Sequence, residues 1–162
     1  MKFICEKGQF LELYILDYEY PDAVINKDDH NWFKDSNWLM IHFDVKIRKL
    51  RWNINAPILN IYDIKYMIDW FKDISNNKIA ESKTLDFIDG GLSFKLLSNI
   101  NSTVKIIKIR LEYPIHPDNI YANSFHTSNK EYYFVKLKAT NEQLKIYAEK
   151  LENELKKFPD RG

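Results

Sequence analysis

The ten residues from Trp38 to Ile47 alternate: Leu39, Ile41, Phe43, Val45 and Ile47 fall against Trp38, Met40, His42, Asp44 and Lys46. A period of two held this long predicts a strand with one buried face. A short turn near Arg48-Lys49 leads to a partner strand carrying Trp52 and Ile54, so residues 38–55 predict a hairpin, interrupted at Pro57. Upstream, residues 9–20 also read as a strand. There both faces are largely apolar, with Leu11, Leu13 and Ile15 against Phe10, Tyr14, Leu16, Tyr18 and Tyr20, which predicts cover on two sides. Three further strands are expected within residues 84–113, with turns at Gly90-Gly91 and at 99–102. The last strand is expected at 131–138.

Two segments switch to helical spacing. Asn60 with Asp63 can cap a central helix, along which Ile64, Met67, Ile68, Phe71 and Ile74 form one stripe until Asn76-Asn77. Thr140 with Gln143 forms a capping box for a C-terminal helix striped by Leu144, Tyr147, Ala148, Leu151 and Leu155, and Phe158-Pro159 closes it. Two runs of strands, each followed by a helix, predict an α+β fold rather than alternating βαβ units. The expectation is one domain over 1–162, with an antiparallel sheet of about six to eight strands and two amphipathic helices, one central and one C-terminal.

Composition narrows the function. The chain has 162 residues, 15% of them aromatic, with four glycines and a net charge of +1. That size can bury a real core, and the aromatics predict that Phe, Tyr and Trp fill it. A charge near zero removes whole-molecule basicity as a reason to bind nucleic acid. Cys5 is the only cysteine, so neither an internal disulfide nor a cysteine metal site can form. Residues 1–7 lack the apolar run of a signal peptide, and no stretch approaches the roughly 18–20 apolar residues that span a bilayer. A cytoplasmic location without membrane contact is expected.

Catalytic patterns are missing from the sequence. His30, His42, His116 and His126 share no helical metal-site spacing, and no HExxH, CxxC or EF-hand pattern occurs. There is no GxSxG elbow, and Gly90-Gly91 lacks the context of a phosphate loop. No cofactor is expected, and no metal. His42 reads as a surface or hydrogen-bonded strand residue, and Cys5 as an inert buried thiol. A site around His116, Asp118 and His126 would be the place to look for an enzyme. The strand aromatics leave room for a small-ligand or carbohydrate-binding domain.

The charge is uneven. Residues 1–45 hold nine acids against four bases, a local charge of −5. Much of it falls between Pro21 and Asn37, a polar stretch without strand or helix pattern that reads as a long loop. Asp22, Asp28, Asp29 and Asp35 stand there beside Trp32, Phe33 and Trp38. Acids around exposed aromatics suit a basic protein partner, since charge speeds encounter and aromatics anchor it. A solvated loop with its aromatics tucked onto the sheet has the same sequence. The partner surface expected from the first reading is Asp22, Asp28, Asp29, Trp32 and Asp35.

The order of several short motifs resembles one family. Asp35-Ser36-Asn37-Trp38-Leu39, then Arg51-Trp52, Leu59 and Asp69-Trp70-Phe71, are similar to the start of WapI-type immunity proteins. The run from Leu85 to Phe94, then Glu112-Tyr113-Pro114 and Phe158-Pro159-Asp160-Arg161, continues the resemblance in order, from about residue 10 to 161. The matched positions read as scaffold, with Trp52 and Trp70 in the core. What the resemblance implies is a non-enzymatic immunity protein. Its expected partner is the cognate toxin domain of a neighbouring bacterial cell, in the type case a nuclease acting on RNA, and the protein acts by occlusion. A nuclease site is basic because its substrate is anionic, so an acidic surface can cover it. The partner expected is thus a protein, with no direct contact to nucleic acid.

Overall fold

The structure, a computed structural model, describes residues 1–22, 36–79, 82–87, 89–117 and 133–161. It is an α+β fold. In chain order the elements are β1 (Lys2–Ile4), β2 (Phe10–Tyr18), β3 (Trp38–Ile47), β4 (Leu50–Asn60), α1 (Ile61–Ser75), β5 (Thr84–Asp86), β6 (Leu92–Leu96), β7 (Val104–Leu111), β8 (Tyr133–Thr140) and α2 (Asn141–Leu155). The strands divide into two antiparallel sheets of four, ordered β1-β2-β3-β4 and β5-β6-β7-β8. A lone antiparallel bridge from Cys5 to Leu137 links the β1 edge of one to the β8 edge of the other. Within each sheet the strands pair in sequence order, β3–β4 through a two-residue turn, while β2–β3 and β7–β8 are joined by long connections.

The β3–β4 hairpin follows the alternation. Leu39, Ile41, Phe43, Val45 and Ile47 are all buried, and Val45 lies opposite Trp52. Ile47 pairs with Leu50 across a two-residue turn in which Arg48 takes a φ of 57°. Contrary to the sequence reading, Pro57 does not interrupt the second strand, which runs on to Asn60. β4 is an edge strand, and the register shifts between Leu39 opposite Leu59 and Ile41 opposite Ala56. Proline has no N–H to give a ladder, and an edge bulge asks for none.

β2 is also corrected. It is covered on one face, not two: Leu11, Leu13 and Ile15 are buried while Tyr14 and Leu16 are exposed. A bulge between Ile15 and Asp17 then reverses the alternation and turns Tyr18 inward. The Ile15 N–H donates instead to Glu154 Oε1 on α2, at 2.7 Å.

Both helices begin as their caps dictate. Asn60 and Asp63, and likewise Thr140 and Gln143, each exchange side-chain and backbone hydrogen bonds in a complete capping box. The α1 stripe is fully buried, and in α2 Leu144, Ala148 and Leu151 are buried with Tyr147 and Leu155 half-buried against them. The core joins all layers through rings: Phe71 of α1 lies 5.9 Å from Phe3, 5.7 Å from Phe94 and 6.3 Å from Tyr147. Trp52 and Trp70 are core residues, their indole N–H groups donating to the Ile115 and Ser82 carbonyls.

Lys105 departs from the pattern. It faces inward on β7, fully buried, and its ammonium donates to Asn77 Oδ1 at 2.7 Å and to the Ile100 and Ser102 carbonyls. Burial lowers its pKa, while the three acceptors tie the end of α1 to the turn before β7.

Candidate partner-binding site

The structure fixes both ends of the acidic segment. Asn37 is completely buried just before β3; its amide donates to Asp160 Oδ1 at 2.9 Å and its side-chain oxygen accepts the Arg161 N–H at 3.0 Å. Arg161 reaches to the other end, donating to the Tyr20 carbonyl at 2.8 Å and the Pro21 carbonyl at 3.0 Å. Its guanidinium lies 3.4 Å from the Tyr18 ring centre, and the Tyr18 hydroxyl donates to the Pro159 carbonyl. Phe158 meets Tyr18 edge-on, while Asp160 accepts from Tyr62 and lies 3.6 Å from Lys65. The terminal Phe-Pro-Asp-Arg run is therefore a clasp across the base of the segment, and Asp22 stands exposed next to it. Asp28, Asp29, Trp32 and Asp35 lie outside the described residues. Asn37 and Arg161 were not legible as a pair, because 124 positions separate them.

Arg161→Ala would remove two hydrogen bonds from a cation and a cation–π contact, all partly exposed. A loss of about 1–2 kcal/mol is expected, read as a lower urea midpoint. An unchanged midpoint would mean that the clasp holds nothing.

The −5 of residues 1–45 does not form one surface. Glu12 pairs with Lys2 at 3.0 Å, Asp44 with Arg51 at 2.7 Å and Glu6 with Lys138 at 2.9 Å, so two of these acids are offset by bases from outside the stretch. Hydrogen bonding to Arg51 holds the Asp44 carboxyl below the usual carboxylate range. Asp17, Glu19 and Asp22, by contrast, lead directly into the 21–37 segment. The acidic character concentrates there.

The rival readings gain little. Phe3, Phe43, Phe71 and Phe94 are among the largest fully buried side chains and fill the core rather than lining a cleft. An open groove of about 560 Å³ runs between α1, α2 and the tail, with Lys65, Asp69, Glu152 and Lys156 along it. Charges of both signs at its mouth suit a small apolar ligand poorly. His116 is buried with its ring 4.9 Å from Tyr133; Asp118 and His126 lie outside the described residues. His42 stacks on Tyr14 and shares a 2.7 Å hydrogen bond with Asn55, a surface role. No group of three metal-ligating side chains is placed to hold a metal among the described residues, and no described helix is long and apolar enough to cross a membrane.

Cys5 is 7% exposed, and burial pushes its thiol up to about 12. Because the folded pKa lies above the unfolded one, the thiol favours folding below the ordinary value of 9.0, and that contribution fades as pH rises from there toward 12. Ellman's reagent at mildly alkaline pH should leave the native protein unlabelled and label it stoichiometrically in urea. Rapid labelling of the native protein would place Cys5 at the surface.

Gly90-Gly91 is structural. Gly90 has a φ of 69°, and a Cβ on Gly91 would come within 3.1 Å of the Tyr113 carbonyl and of Pro114, across a cis peptide. The motifs from Leu85 to Phe94 and at 112–114 thus meet one another in space, as scaffold. Comparison with characterised proteins and with solved structures finds no match. Residues 2–159 match the WapI-like family of immunity proteins, and the chain belongs to that family.

Proposed function

We propose that this immunity protein acts without chemistry of its own, by binding a cognate toxin domain and occluding its working surface. The docking surface is the acidic segment that includes Asp22, Asp28, Asp29, Trp32 and Asp35. A nuclease is the toxin class that such a surface fits best, since its substrate cleft is basic. The observation that carries the reading is the clasp: in a chain matched almost end to end to an immunity family, the terminal residues are spent on fixing both ends of one acidic, aromatic-bearing segment. A segment with fixed ends loses less freedom on binding, which favours affinity.

The test is co-expression with candidate toxin domains of the nuclease class. Growth rescue together with a stoichiometric complex is the expected result. Rescue without any complex would point to an enzymatic or indirect mechanism.

A further inference from the structure

On the solvent face of the first sheet, Tyr14, His42 and Asn55 lie side by side across β2, β3 and β4. At the usual strand spacing that row is roughly 10 Å wide. The next row pairs Asp17 with Met40. Regular alternation would turn Asp17 inward, but the bulge after Ile15 keeps it at the surface beside Leu16. Leu16 is 42% exposed and Tyr14 39%. His42 is held in place: its ring stacks on Tyr14 at 4.7 Å, and Nδ1 shares a 2.7 Å hydrogen bond with Asn55 Oδ1. An amide oxygen can only accept, so Nδ1 carries the proton and the neutral ring keeps Nε2 as an acceptor. Side chains fixed before contact lose little freedom on binding.

Charge around this patch is one-sided. In the row on one side, Glu12 is paired with Lys2 and Asp44 with Arg51. On the other, Asp17, Glu19 and Asp22 form no ion pair among the described residues. Arg161 of the clasp is engaged there with the Tyr20 and Pro21 carbonyls. The Glu19 N–H donates to the Trp38 carbonyl at 2.8 Å, so this is the end of the sheet where the 21–37 segment leaves β2 and returns to β3.

We propose that the toxin docks on this face too: Tyr14, Leu16 and Met40 are the apolar anchors, while His42 Nε2 and Asp17 accept from its lysines or arginines. The inference rests on the occlusion reading above and extends its surface from the acidic segment onto the sheet. The chemistry of the patch selects the partner. Tyrosine and methionine are enriched at protein interfaces, and tyrosine at their hot spots. A phosphate backbone is excluded, since the patch holds no lysine or arginine and its margin is acidic. The same acids favour a basic protein.

The test is surface plasmon resonance of the full chain over nuclease-class toxin domains inactivated in their own catalytic residues. On a domain that the wild type binds, Tyr14→Ala and Leu16→Ala should each weaken affinity about thirtyfold. The loss should fall on dissociation, with association nearly unchanged, whereas removing acids of the segment slows association. Tyr14→Phe keeps the ring and should stay close to wild type. Should Tyr14→Ala unfold, as circular dichroism would show, Leu16→Arg at its exposed position reads the same contact. Wild-type dissociation rates in these variants would overturn the inference; slowed association in Asp28→Asn/Asp29→Asn/Asp35→Asn would then still leave the acidic segment as the dock. A wild-type chain that sediments as a dimer, made monomeric by Leu16→Arg, would assign the face to a second copy and overturn it as well. If the wild type binds no candidate, the occlusion reading falls and this inference with it.

Discussion

Phe71→Ala is expected to cost about 3–5 kcal/mol, a large part of the roughly 5–15 kcal/mol that holds a domain together. The ring is completely buried and lies within 5.5 to 6.3 Å of Trp70, Phe94, Phe3 and Tyr147, so it touches both sheets and both helices at once. Its removal leaves a cavity walled by four large rings on four different elements, and such walls collapse poorly. Urea unfolding should show a much lower midpoint with an unchanged slope. A loss below about 1 kcal/mol would mean that the sheets and helices do not share this core.

The sequence was most legible where a short-range rule had no competitor. The alternation of β3, both capping boxes and both helical stripes survive intact, because each is decided within a few residues. What was not legible depends on partners far along the chain. The bulge at Leu16 is visible only once β3 is in place, and Pro57 reads as a break unless β4 is known to be an edge. Lys105 looks like a surface residue until Asn77 and the 99–102 turn close around it. The division of eight strands into two sheets likewise rests on pairing, not on pattern. At the candidate site the acidic residues could be named from sequence, but not the clasp, since Asn37 and Arg161 meet only in the fold.

The second large effect is expected from Asp28→Asn/Asp29→Asn/Asp35→Asn. If these acids are the docking charges, their removal should leave stability within about 0.5 kcal/mol, as for most surface changes. Protection against the toxin should fall sharply, through slower encounter rather than a weaker fold. The opposite outcome, a destabilised protein that still protects fully, would make the segment part of the scaffold. The binding surface would then have to be sought elsewhere, with the 114–130 stretch as the next to mutate.

The most direct measurement is the association rate constant of the chain with its toxin domain, followed by stopped-flow fluorescence from low to high salt. Charge-steered encounter is accelerated about tenfold or more and is screened within a Debye length of roughly 8–10 Å. The wild-type rate should therefore fall by about tenfold as salt rises, and the triple Asn variant should start slow and change little. A wild-type rate that is the same at low and high salt would contradict docking through the acidic segment.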